Sequence, residues 1–198
     1  MTPLPHPPSG GFTTPAVLGT GRQPYDQLGA LCFDLASAEA GQFVGRRPVI
    51  AHPPRHAFAR LRHASAGPAR RHERELSLWA LDQVRSWGGV LEHPAHSALW
   101  ADAGLPGVGD ARDRFGGWTL PVWLSWFGGA TPRPTWLYLV GYDLPQIPAM
   151  PLQLAGAGAG PGGDTGVPEA FARWLIGLAV TIGQAQAWRY DVPAGCPC

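Results

Sequence analysis

Lysine is absent from this chain: all 15 of its basic residues are arginine. A GC-rich coding bias accounts for that composition, since alanine, glycine, proline and arginine are all abundant. It also means that every basic contact is a guanidinium, a group that forks onto phosphates and stacks on bases. Charge is scarce as well. Charged residues are 15% of the chain and the net charge is +1, so no global field draws the protein to nucleic acid and any such contact must be local. Only three cysteines occur, Cys32, Cys196 and Cys198, which excludes a disulfide framework; the last two form a terminal Cys-Pro-Cys that reads as a frayed tail. No apolar run reaches about 18 residues, and no charged stretch followed by an apolar one opens the sequence. The expectation is a cytoplasmic protein with no membrane partner.

What is present is enough apolar material for one core. Hydrophobic residues make up 45% of 198, including nine tryptophans. A domain of this size buries roughly 70% of the surface exposed by its unfolded chain. Proline and glycine crowd residues 1–24, which read as an extended arm, so order is expected to begin near Tyr25. Residues 25–190 then form a single domain. Within it an Ala/Gly linker covers 155–167, and residues 191–198 are a tail.

Along that domain, Ala30–Asp34 and Pro48–His52 are short apolar runs that suit buried strands, the second stopped by Pro53-Pro54. From His72 to Trp87 the pattern turns helical, with Leu76, Trp79, Ala80, Gln83, Val84 and Trp87 on one face, Leu78 and Leu81 widening it, and Gly88-Gly89 as the stop. Gly89–Pro94 follows as a third strand. Strand, helix, strand with a proline-ended loop after each strand predicts parallel pairing. Trp118–Phe127 looks extended, with Pro121 marking an edge. Thr135–Gly141 is the best strand by composition, close enough to form an antiparallel hairpin with it. Pro168 opens a last helix to about Gln186 that faces Phe171, Trp174, Leu175, Leu178 and Ile182 inward.

The residues with chemistry gather at predicted strand ends, where α/β sheets bind ligands. Glu92 and His93 close one strand, His52 another, and Asp34 another. Arg55, Arg60 and Arg62, with His56 and Phe58 between them, suit phosphate contact and stacking, or else a solvated turn. His52, His56, His63, His93 and His96 raise a metal reading, but Pro53, Pro54 and Pro94 keep the pairs off regular helices, and no metal ligand is assigned. Trp118, after Gly116-Gly117, is the tryptophan best placed to reach a site.

The order of these pieces resembles the catalytic half of cytosine-C5 DNA methyltransferases: a strand and His52-Pro53-Pro54-Arg55, a strand and Glu92-His93-Pro94, then Arg133-Pro134-Thr135-Trp136-Leu137-Tyr138 in a hairpin. It also resembles phage and prophage proteins carrying "HPPC…GGVLEHPA.S.LW…GGWTL…FG…TWLY", over about residues 25–185. The resemblance implies a truncated Rossmann-like methyltransferase sheet, mostly parallel, with a terminal antiparallel hairpin and helices on both faces. It implies DNA modification in a bacterial or phage-infected cell. Glu92 would be the catalytic acid at cytosine N3. Arg55, His93, Ser97, Arg133 and Thr135 would contact the substrate, and Asp34 and His52 would lie near S-adenosylmethionine.

That chemistry needs a thiolate to add to cytosine C6. Position 55, where the thiol would stand, is arginine, which stays protonated and cannot be the nucleophile. Gly10-Gly11 and Gly19-Thr20-Gly21 are the candidate cofactor turns, and no convincing strand precedes either. The reading is that the chain starts at about the third strand of that fold, with a partner chain supplying the cofactor half. Two alternatives stay open: a catalytically inactive DNA- or nucleotide-binding module, and a metal-assisted nucleotide hydrolase using the histidine loops.

Overall fold

The computed structural model describes residues 14–20, 23–58, 67–129, 132–152 and 166–190, with the side chains of residues 38 and 183–190 left aside. It is an α/β fold on one six-stranded sheet. The strands are β1 (Ala16–Gly19), β2 (Leu31–Asp34), β3 (Val49–His52), β4 (Gly89–Pro94), β5 (Trp118–Trp123) and β6 (Pro134–Val140). Their spatial order is β2-β1-β3-β4-β6-β5. The pairs among β1 to β4 are parallel, and β6 runs antiparallel to both β4 and β5. Among the described residues three α-helices accompany the sheet: α1 (Pro68–Trp87), α2 (Leu99–Asp102) and α3 (Glu169–Tyr190).

Strand side chains alternate between two cores. Val17, Ile50, Val90, Leu137 and Leu139 face α3, which returns Phe171, Trp174, Leu175, Leu178 and Ile182. These are the five inward positions expected from the sequence. Leu18, Val49, Ala51, Leu91 and Tyr138 face α1 and α2, meeting Ala80, Leu81, Val84, Leu99 and Trp100. Each fully buried Val, Leu, Ile or Phe among them contributes roughly 1.5–3 kcal/mol. Being covered on both faces is why the central strands read as continuous apolar runs.

One expectation is overturned at the N-terminus. Ala16–Gly19, assigned to an extended arm, is a buried strand between β2 and β3. Four residues after Pro15, the last of them a glycine, carry no periodicity of their own. The strand is held by neighbours on both sides, beginning with the Ala16 amide on the Pro48 carbonyl at 2.9 Å. The chain therefore contains its own strand ahead of Leu31–Asp34, and Gly19-Thr20 does follow a strand. Residues 1–13, and the Cys196 and Cys198 tail, lie outside the described residues, as do 153–165 of the expected linker.

Helix α1 starts four residues earlier than expected, with Pro68 in its first turn, and its buried stripe is Ser77, Ala80, Leu81 and Val84. Leu76, Trp79 and Trp87 flank that stripe and are half-buried. The stripe is rotated because a serine can sit inside it: the Ser77 hydroxyl donates to the Glu73 carbonyl at 2.8 Å. At the far end, Gly89 has φ 133°, and a Cβ there would overlap the Val49 carbonyl. Only glycine lets β4 begin beside β3 in this way.

The expected hairpin is present, with Pro121 exposed on the outer strand β5, where its missing N–H costs no ladder bond. The extended segment is shorter than expected, since Leu124–Trp126 turns as a 3-10 helix. Among the described residues no helix is long and apolar enough to cross a membrane.

Candidate functional site

Strands β3 and β4 are parallel neighbours with Ala51 opposite Leu91. One residue further on, His52 and Glu92 stand side by side at the carboxyl edge, on the α3 face. Proximity set by register becomes a hydrogen bond: His52 Nδ1 lies 3.0 Å from Glu92 Oε2. Pro53 and Pro54 then end β3 and turn the chain so that Arg55 comes back over the same edge. Its Nη2 lies 3.3 and 3.4 Å from the two Glu92 oxygens. On the other side of His52, the Tyr25 hydroxyl is 2.6 Å from Nε2. With Tyr25 donating to Nε2, the imidazole keeps its proton on Nδ1 for Glu92, so every member of the row has a partner.

The row is buried at its centre and open at one end. Glu92 is 2% exposed and Tyr25 2%, whereas the Arg55 side chain is 40% exposed. Burial alone would push the Glu92 carboxyl up. The hydrogen bond from His52 and the positive charge of Arg55 oppose that push, and the carboxyl lies down at about 2. Burial first, then the charge of Glu92, pushes the Tyr25 phenol well above its ordinary range. Glu92 is accordingly an ionised acceptor at neutral pH. It is arranged to hold a cation in place, not to deliver a proton to a base nitrogen.

Beyond Arg55 lies a pocket of about 180 Å³ lined by Arg55, Arg133, Thr135, His96 and the apolar Pro94 and Leu124, among others. Arg133 opens β6. Its Nη2 donates to the Gly166 carbonyl at 3.1 Å, and its Nε is buried without a partner. Arg55 thus joins the two halves of the site, since it bonds Glu92 and faces the pocket together with Arg133.

No family model, curated protein or solved structure matches this chain. Its site stands on geometry.

Of the residues singled out from sequence, Glu92, His52 and Arg55 are in contact, and Arg55, Arg133 and Thr135 share the pocket. Asp34 ends β2 on the same sheet edge, paired through Gly19 with His52, but its carboxylate accepts the Ala36 amide at 2.8 Å and so shapes its own loop. Ser97 accepts the Leu99 amide at 3.1 Å at the entry to α2, a structural role. His93 points the other way. Alternation along β4 sends it to the α1 face, edge-on to Phe58, at 1% exposure with neither ring nitrogen hydrogen-bonded. Burial lowers it to about 4, against the opposing pull of the Glu92 charge. Trp118 also belongs to the scaffold, its indole N–H donating to the Tyr142 carbonyl at 3.0 Å.

The histidine loops do not converge. His56 and His96 are exposed, His52 has both nitrogens committed, and among the described residues no three His, Cys, Asp or Glu side chains group to hold a metal. Arg60, Arg62 and His63 lie outside the described residues. Tyr25 was missed by sequence reasoning. It stands 27 residues from His52 in an irregular turn, and nothing local to it signals the contact.

Proposed function

We propose that this chain is a DNA- or nucleotide-binding domain of the cytosine-C5 methyltransferase type that holds its ligand with Arg55 and Arg133 and adds no thiol to it. The observation that carries this reading is the Arg55–Glu92 ion pair. Arg55 stands where the resemblance calls for a nucleophile, and Glu92 where it calls for an acid, and the two are engaged with each other. What they present outward is a fixed guanidinium, a group suited to phosphate or base contact and incapable of covalent attack.

S-adenosylmethionine, the cofactor the resemblance implies, fits the described residues poorly. Gly19-Thr20 follows β1, but Gln23–Gly29 is a turn and not a helix, so no helix N-terminus is presented to an anionic group there. Tyr25 packs its ring against His52 at the end of β3, with the ring centroids 5.3 Å apart. In a sheet whose order reverses between β1 and β3, that is the crevice where a ligand would otherwise enter.

A DNA-modification enzyme acting by another route is the second reading. The sheet favours it, because the order β2-β1-β3-β4 follows the centre of a doubly wound sheet, with Asp34 at the end of β2. The two readings part in one experiment. Binding of a short oligonucleotide is followed across a salt series, and nucleosides from DNA exposed to the protein in cells are analysed by mass spectrometry. The binding domain predicts affinity that falls with salt and with Arg133→Ala, and an unaltered nucleoside profile. A modified nucleoside that disappears with Glu92→Gln would replace it with the enzyme reading. Failure to bind any nucleic acid or nucleotide at low salt would remove it.

A further inference from the structure

We infer that the pocket beside Arg55 is a phosphate site: the phosphate of the ligand enters it and the base stays outside. This rests on the binding reading above and assigns which part of the ligand the pocket takes.

Three observations lead there. The first is charge. Arg55 and Arg133 both line the pocket, and the carboxylate in contact with Arg55, Glu92, is shared with His52. Two guanidinium groups against one carboxylate leave an excess positive charge between apolar walls, where an anion is attracted more strongly than in water. The second is hydrogen-bonding sense. Arginine side chains only donate. Glu92 is spent on His52 and Arg55, while Arg133 Nε is buried with no acceptor. A base edge bearing an amino group needs an acceptor from the protein. A phosphate needs donors, and donors are what the Arg55 and Arg133 guanidinium groups supply. The third is size. About 180 Å³ is below the roughly 300–1,000 Å³ of sites that enclose a whole small molecule, so one compact group enters.

Arg55 is preset for the task. Its Nη2 is fixed on Glu92, and Glu92 is fixed by His52 and Tyr25 behind it. Nη1 and Nε remain to meet the ligand. A guanidinium held in one orientation loses little freedom on binding an oxyanion.

The test is isothermal titration of the full chain at low salt with inorganic phosphate, a nucleoside monophosphate, the matching unphosphorylated nucleoside and a short single-stranded oligonucleotide. The monophosphate is expected to bind at least tenfold more tightly than the nucleoside, with inorganic phosphate competing. Arg133→Gln is expected to weaken the monophosphate at least tenfold while circular dichroism stays native. Arg55→Gln should do the same, but it leaves Glu92 buried with one partner fewer, so Arg133→Gln is the deciding variant if Arg55→Gln unfolds. A nucleoside that binds as tightly as its monophosphate overturns the phosphate site and leaves the binding function standing. Phosphate binding that Arg133→Gln does not change places the anion elsewhere and overturns it as well. Binding of inorganic phosphate without monophosphate or oligonucleotide supports the anion site and removes the proposed function. No binding by any phosphate-bearing probe removes both.

Discussion

Glu92→Gln isolates the charge at the centre of the site. The amide keeps the volume of the carboxylate, and its oxygen can still accept from His52 Nδ1. It removes the counter-charge of Arg55. A carboxyl brought from 4.5 to about 2 contributes on the order of 3 kcal/mol to folding at neutral pH. Charge-assisted hydrogen bonds at roughly 1.5–3 kcal/mol give a similar figure. Part of the Arg55 share is screened, because that side chain is 40% exposed, so the expected loss at pH 7 is about 2–3 kcal/mol. For a domain of this length that lowers Tm by roughly 5–10 °C. The sign with pH follows from a lowered carboxyl: the contribution is complete above about pH 4.5 and fades as pH falls toward 2. Wild type and Glu92→Gln, unfolded in urea at a series of pH values from 7 downward, should therefore differ most at neutral pH and converge below pH 4.5. Equal stability at pH 7, or a difference that stays constant into acid, would refute the claim that an ionised Glu92 holds this edge together.

Two further predictions concern the scaffold. His93 is lowered to about 4 from 6.5 by burial, so the unfolded chain binds its proton first and stability falls as pH drops from 6.5 to 4, by on the order of 3 kcal/mol. His93→Phe keeps a ring against Phe58 without unpaired nitrogens. In denaturant titrations at pH 7 and pH 5 it should match or exceed wild type at the first and lose less at the second. Gly89→Ala drives a Cβ into the Val49 carbonyl at a φ of 133° and should cost on the order of 3 kcal/mol, read as a collapse of the thermal transition. A variant with an unchanged Tm would show that β3 and β4 can move apart at that point.

Elements with their own signal were legible from the sequence: β4 between Gly89 and Pro94, the apolar face of α3, and the paired segments flanking Arg133. Their evidence lies in periodicity and in the glycine and proline that end them. Strand β1 was not legible, because four apolar residues in a proline-rich region look like an arm until two partners are in place. The α1 face was misjudged where Ser77 satisfies its own hydroxyl and enters the core. At the site, strand ends carried His52 and Glu92 into view, since ligand groups in such sheets collect there. The direction of His93 followed from alternation and could have been read from Glu92 as its neighbour. Tyr25 could not, because its partner is brought to it only by the closure of β1 against β3.

The placement of β6 between β4 and β5 constrains the order in which the chain can assemble. As residues emerge from the ribosome, Trp118–Trp123 is made before Pro134–Val140, yet among the described strands it pairs with that later segment alone, besides a single bridge from Thr119 to Val108. The edge of β4 likewise stays uncovered until Val140 has been synthesised, since Gly89 pairs with it. A chain ending near residue 125 would leave unpaired the edges of β4 and β5 that β6 covers and should be prone to aggregate.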